Sequence, residues 1–121
     1  MNETARPPGA VVADLGAIDP VRCPCGWARR AFGDVPGAPA SLHRVDIESD
    51  ARAHYHKGHT EVYYVLECGP DAAIELDGER VPLRPGSAVL IPPGVRHRAV
   101  GAMRILNVVV PPFDPEDEWF D

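Results

Sequence analysis

The sequence predicts an all-β domain, built as a sandwich or barrel of short strands. From residue 41 onward, short segments alternate apolar and polar side chains, which is the pattern of a half-buried strand. Turn-forming residues separate these segments, and Asp77-Gly78 is a strong signal for a two-residue hairpin. Short strands at regular spacing are typical of sandwiches and barrels.

Eight candidate segments carry the strand pattern. Between them, Gly69-Pro70-Asp71 and Arg84-Pro85-Gly86 supply the glycine and proline that turns favour. We expect strands, in chain order, at Leu42–Glu48, Ala51–His56, Glu61–Glu67, Ala72–Leu76, Arg80–Leu83, Ala88–Ile91, Arg96–Val100 and Arg104–Val110.

The first 40 residues are rich in proline, glycine and alanine and have no clean periodicity. The prolines exclude a long helix there. We therefore expect an extended arm with one or two short strands over residues 1–40, a barrel over residues 41–112 and an acidic, aromatic tail over residues 113–121. All three parts belong to one domain, because a chain of 121 residues leaves little room for a second.

The net charge of −6 lies mostly in the tail, since the remaining acids nearly balance the 12 bases. No basic stripe exists, which argues against nucleic-acid binding. No apolar run approaches the ~18 residues that span a bilayer. The first seven residues also lack the apolar stretch of a signal peptide. We expect a cytoplasmic protein without a membrane or nucleic-acid partner.

The three cysteines cannot build a disulfide framework. Cys23-Pro24-Cys25 is too short for the C-x2-C of a zinc ribbon, and no second pair follows. Two interpretations stay open: reduced thiols in an N-terminal turn, or a redox-sensitive or metal-contacting pair. Cys68 ends a predicted strand and is expected to be a small structural residue.

Four residues in two short stretches fit together as a metal site. His54 and His56 are two apart and project from the same face of a strand. Glu61 opens the next apolar run, and His97 follows a later strand and a Pro-Pro-Gly turn. Three imidazoles and a carboxylate suit one divalent transition metal, and the pattern does not choose among Fe, Mn, Co, Ni, Cu and Zn. Such a set leaves a coordination position open, which a catalytic metal needs.

These spacings resemble the two motifs of the cupin superfamily, as found in small single-domain bacterial members. His54, His56, Glu61 and Gly69 match the first motif, H-x-H-x4-E-x7-G. The second motif, G-x5-P-x-G-x2-H, is matched by Gly86, Pro92, Gly94 and His97. The resemblance implies a double-stranded β-helix, or jelly-roll barrel, with these histidines and Glu61 as metal ligands. Two positions depart from the usual pattern, Glu48 and Gly101, and neither is a ligand.

Four further residues are candidates for the substrate cavity. Arg52 should share the face of His54, where it could anchor a substrate anion or pair with an acid at the rim. Tyr63 should share the face of Glu61, and Asn107 should face inward from the last strand. His43 is expected to be a cavity or core histidine, whereas His59 should be exposed in the Lys57–Thr60 turn.

If Glu61 and Tyr63 face inward, the residues that alternate with them form an apolar row on the outer face of the same strand. A half-buried strand should present polar residues on its outer face. A second subunit or the N-terminal arm should therefore cover the row, and we expect a homodimer. Its members are Val62, Tyr64 and Leu66.

The predicted function is small-molecule chemistry at the metal. The resemblance admits dioxygenase-like and sugar isomerase- or epimerase-like reactions, with Glu61 as a ligand or as a base. A binding or sensor protein without catalytic activity is the alternative, because a fold does not determine a function.

Overall fold

The computed structural model describes the backbone of residues 3–6 and the whole of residues 9–121. Within these ranges there are eleven strands and a single-turn 3-10 helix at Leu15–Ala17, so none of the described helices could cross a membrane. The strands are β1 (Glu3–Arg6), β2 (Ala10–Ala13), β3 (Val21–Cys23), β4 (Gly26–Ala31), β5 (Ser41–Ile47), β6 (Thr60–Cys68), β7 (Ala73–Leu76), β8 (Glu79–Pro82), β9 (Ala88–Ile91), β10 (His97–Val100) and β11 (Met103–Val110).

The strands form an antiparallel β-barrel of two main sheets. The larger sheet has the order β3-β4-β5-β11-β6-β9, and the smaller one has the order β10-β7-β8. Strands β1 and β2 pair with each other as a separate hairpin. Side chains from both main sheets share one apolar core, which includes Val45, Val65, Ile74, Ala99 and Ile105. The expected all-β jelly-roll class is confirmed.

Buried and less buried side chains alternate along the central strands, and the buried ones are apolar at one end of the barrel and polar at the other. In β5, Val45 and Ile47 are buried toward the core, and Ser41 and His43 are buried on the same face nearer the other end. The neighbouring β11 repeats this arrangement, with Ile105 in the core and Asn107 opposite His43. Buried polar side chains require partners. The barrel therefore has an apolar half and a half that needs hydrogen bonds or ions.

Seven of the eight expected strands are present, with bounds shifted by at most one residue. The exception is Ala51–His56, which contains only isolated bridges, from His54 to His97 and from Tyr55 to Trp119. Its backbone bonds go to several different elements, since the amide of Ala51 donates to Ala99. The alternation expected for a continuous strand therefore fails in this segment.

The N-terminal segment is more ordered than the sequence indicated. It contributes four strands where one or two were expected, and β4 pairs with β5 along five residues of the larger sheet. Gly26 begins β4 with φ +147°, and a Cβ there would collide with the backbone oxygen of Asp46. Only glycine fits so close an approach.

A disulfide joins Cys23 to Cys25 at the turn between β3 and β4. The interpretation of this pair as reduced thiols is therefore wrong in this structure. Cys68, by contrast, is a free thiol that packs against the core at the end of β6.

Candidate metal centre

The four motif residues meet inside the polar half of the barrel. His54 and His56 lie between β5 and β6, Glu61 lies on β6, and His97 begins β10. Two backbone hydrogen bonds between His54 and His97, of 3.1 and 2.9 Å, connect the first motif to the second. All four side chains are at most 4% exposed, and one potential ligand atom of each lies within 4.8 Å of the others.

Hydrogen bonds to backbone carbonyls fix the tautomer of each of the three histidines. The Nδ1 atoms of His54, His56 and His97 lie 3.0, 2.6 and 2.9 Å from the carbonyl oxygens of Arg52, Asp117 and Val95. A carbonyl oxygen only accepts, so each Nδ1 must carry a proton and donate it. In a neutral ring this leaves the lone pair on Nε2, which is how ligating histidines are oriented in metal sites.

Oε1 of Glu61 lies in a cluster of hydrogen-bond acceptors that has no hydrogen-bond donor in the described part of the chain. Its Oε2 accepts a 2.6 Å hydrogen bond from Nδ2 of Asn107. Its Oε1 lies 3.2 Å from Nε2 of His56 and 3.0 Å from Nε2 of His97. These three atoms are buried and have no hydrogen-bond partner among the described residues. Lone pairs that face one another at this distance are stable only with a cation or a proton between them.

The electrostatics of the cluster suit a cation. Burial alone would raise the pKa of Glu61, but the nearby imidazoles of His56 and His97 hold that pKa well below its usual range. Burial, reinforced by the charge of His97, lowers the pKa of His54 to about 4. Burial also lowers the pKa of His56, but the contact with Glu61 outweighs it and raises that pKa overall. Three neutral imidazoles and one carboxylate would leave a divalent ion with about one positive charge.

A second grouping, His56, His59 and Asp117, also brings donor atoms together. Its members are already engaged with one another and with the backbone. Asp117 accepts hydrogen bonds from the amides of Lys57 and Gly58, at 2.9 and 2.7 Å. Nε2 of His59 accepts the amide of Asp114 at 3.1 Å. This grouping is therefore a hydrogen-bonded clamp that joins the tail to residues 57–59. The cluster of His54, His56, Glu61 and His97 fits a metal better.

A cavity of about 20 Å³, called here the metal cavity, adjoins the first cluster and has His54 and Glu61 in its wall. Such a volume holds about one water molecule. His43, Tyr63 and Asn107 line it, as the sequence indicated, whereas Arg52 is exposed and stacks on Phe120 at 3.8 Å. The missing strand over residues 51–53 explains why Arg52 does not share the face of His54.

Several cavity residues from outside the motifs were not indicated by the sequence, and three of them are charged or aromatic. Arg30 belongs to β4, and Phe113 and Glu118 belong to the C-terminal tail. Burial raises the pKa of Glu118, and the positive charges near it oppose that shift only in part. The one sequence signal for this arrangement was the interleaving of acids with aromatics in the tail, which indicated docking onto the body or a partner.

The tail also corrects the expectation for His59. This residue is 3% exposed, because the ring of Phe113 stacks on it at 5.8 Å and the amide of Asp114 binds its Nε2. Trp119 pairs with Tyr55 through two 3.0 Å backbone bonds. The tail therefore closes over the first motif.

Comparison with known proteins agrees with the motifs. The cupin domain family matches residues 41–109, so the chain belongs to this family. No curated protein sequence matches it significantly.

Solved structures share the fold. A protein from Planctomyces limnophilus is 51% identical, with a TM-score of 0.87, and the match covers 90% of this chain and 95% of that one. The nucleoside dehydratase Pac13 of Streptomyces is 20% identical over 88% of this chain and 86% of its own, with a TM-score of 0.73. Ectoine synthase from P. lautus is 24% identical over 91% and 88%, also with a TM-score of 0.73.

Proposed function

We propose that this cupin is a metalloenzyme that holds one divalent transition metal through His54, His56, Glu61 and His97 and acts on a small molecule. The observation that carries the proposal is the buried convergence of Nε2 of His56 and Nε2 of His97 on Oε1 of Glu61, none of which has a hydrogen-bond partner among the described residues. When bound, the metal would polarise a substrate oxygen or lower the pKa of a bound water. The donor set suits Fe, Mn, Co, Ni, Cu and Zn alike.

The protein's own groups would position the ligands and move protons. Asn107 holds Oε2 of Glu61, so Oε1 alone faces the histidines. Glu61 is the proposed proton carrier, since it is the carboxylate within 3.2 Å of the imidazoles of His56 and His97. Burial raises the pKa of the Tyr63 hydroxyl well above its usual range, so Tyr63 stays protonated and could donate a hydrogen bond. The reaction classes we favour are O₂-dependent oxidation and sugar-type isomerisation or epimerisation.

Two structural neighbours, Pac13 and ectoine synthase, bear the names of enzymes, which supports a catalytic role here. The small cavity leaves open a second candidate, a binding or sensor cupin without turnover, because about 20 Å³ gives a substrate no room beside the metal unless the cavity walls move. An enzyme must admit substrate and release product.

The test loads the full chain with each of the six divalent ions in turn. Enolic, catecholic and sugar-phosphate compounds are then scored by O₂ uptake and by mass spectrometry of products. We expect turnover of at least one of these compound classes. Glu61→Gln should reduce turnover more severely than it reduces metal binding. Glu67→Gln, at an exposed position, is the control. Tight binding of one compound with no turnover under every ion would favour the sensor.

We also propose a homodimer through the outer face of β6. Tyr64 and Leu66 are 46% and 39% exposed, and Leu90 on the adjacent β9 is 66% exposed. An apolar face of this kind on a sheet commonly marks an interface. Sedimentation should show a dimer that Tyr64→Glu dissociates, and a monomer at high concentration would contradict this proposal.

A further inference from the structure

A second, larger pocket lies next to the metal cavity. It has a volume of about 210 Å³ and is lined by Arg30, Gly33, Asp34, Ser41, His43 and Phe113. Arg30, His43 and Phe113 also line the metal cavity. The two spaces therefore have these three side chains as common walls.

Arg30 is the unusual group in this pocket. Its guanidinium stacks on the ring of Phe113 at 4.2 Å, and its Nε is buried without a hydrogen-bond partner. Within the described part of the chain Arg30 makes no ion pair, whereas Arg98 and Arg104 pair with Glu75 and Asp46 at 2.6 Å. A buried guanidinium donor without an acceptor is costly, and an anionic ligand would satisfy it.

The rest of the wall is rigid and polar. Oγ of Ser41 accepts the amide of Phe113 at 2.9 Å and bonds to Nε2 of His43 at 2.9 Å. These bonds hold the tail against β5 at the boundary between the two spaces. Asp34 also lines the pocket, and its charge would repel a dianion such as a phosphate more strongly than a monoanion.

We propose that this pocket binds the carboxylate of a small hydroxy- or aminocarboxylate on Arg30, with the rest of that molecule directed past His43 to the metal cavity. The volume is below the ~300–1,000 Å³ of drug-sized sites, which fits a small metabolite. Phe113 lines both spaces, and in this proposal its ring moves to let one ligand occupy both. This inference rests on the metal-dependent function proposed above and specifies the substrate class.

The test uses the full chain loaded with Co²⁺, whose visible absorption reports on its ligands. Glycolate, L-lactate and 4-hydroxybutyrate are titrated, each beside its uncharged amide. The variants are Arg30→Gln, Arg30→Lys and Arg44→Gln, the last of which removes the same charge from the residue after His43 on β5. Metal content is measured first for every protein.

We expect at least one carboxylate to bind more tightly than its amide and to change the Co²⁺ spectrum. Arg30→Gln should weaken that binding roughly tenfold or more, because a charge-assisted hydrogen bond is lost, while metal content stays the same. Arg30→Lys should be intermediate and Arg44→Gln unchanged. Equal binding by wild type and Arg30→Gln, or equal binding of acid and amide, would overturn the inference. Absence of Co²⁺ from the wild type would overturn the metal proposal itself.

Discussion

The barrel and the segments that flank it contribute different things to the same site. Residues 41–109 carry all four proposed metal ligands and Asn107, which fixes Glu61. The flanks supply Arg30, Phe113 and Glu118 to the cavity wall. The proposed metal ligands therefore all lie in the family domain, whereas part of the cavity wall comes from sequence outside it.

The C-terminal tail is attached mainly through cation–aromatic contacts and hydrogen bonds. Lys57 lies 3.7 Å from the Trp119 ring, and Arg96 lies 3.6 Å from the Tyr55 ring while bonding Asp121. Contacts of this kind at exposed sites are worth ~0.5–1 kcal/mol each. The tail is thus held by several weak contacts, whereas the barrel is held by its buried core.

The largest effect should follow from removing ligands in the barrel. His54→Ala combined with His97→Ala should weaken metal binding by on the order of a thousandfold, since two of four donors are lost. Circular dichroism should show the fold retained, because apolar packing supplies most of the stability. His59→Gln is the matched control, as it removes a buried histidine of the other grouping. Stoichiometric metal in the double variant would refute the proposed ligands.

Acid should destabilise the metal-free protein through buried histidines. Burial, together with the charge of Arg30, lowers the pKa of His43 to about 4 from the usual 6.5. The unfolded chain therefore binds more protons between these values, so stability is greatest above pH 6.5 and falls toward pH 4. His43 alone should account for up to about 3 kcal/mol.

Urea unfolding of metal-free protein at pH 7 and pH 4 measures this loss. His43→Gln should make the loss smaller, and the remainder should come partly from His54, whose pKa is also about 4. An unchanged difference between the two pH values in His43→Gln would contradict the assignment.

Asn107→Ala should have the next largest effect. Without the 2.6 Å bond to Asn107, the Glu61 carboxylate is free to rotate, and changes at such supporting residues cost ~10–100-fold in metal affinity. Calorimetric titration with Zn²⁺ measures the change. In a Glu61→Gln background the same substitution should cost much less, and an equal cost in both backgrounds would mean that Asn107 acts elsewhere.

The smallest effect concerns the tail. Asp117→Ala removes acceptors for the amides of Lys57 and Gly58 and should cost about 1 kcal/mol of stability. Glu116→Gln is the exposed control and should be neutral. Thermal unfolding measures both, and equal melting temperatures for wild type and Asp117→Ala would show that the clamp does not stabilise the protein.

Local periodicity explains which parts could be predicted. Strands β5, β6 and β11 alternate strictly, so their bounds and the inward facing of His43, Tyr63 and Asn107 followed from the sequence. Strand β4 was missed because only Ala28 and Ala31 are fully buried in it, which is not a period of two. The sequence pattern therefore gave no indication that Arg30 lies in the cavity wall.

Other misses depend on contacts between distant parts of the chain. His59 is buried by Phe113 and Asp114, more than fifty residues later, and no local pattern encodes that contact. Arg52 turns outward because its segment bonds to several elements rather than to one strand. The spacing of metal ligands, by contrast, is local within each motif, which is why the site could be assembled from two short stretches.

The most direct test of the central claim is a crystal structure of the full chain grown with Zn²⁺, with anomalous data collected at the zinc edge. We predict one anomalous peak per chain, ~2.0–2.2 Å from Nε2 of His54, His56 and His97 and from Oε1 of Glu61. A peak between His59 and Asp117, or no peak at the four residues at saturating Zn²⁺, would contradict the account.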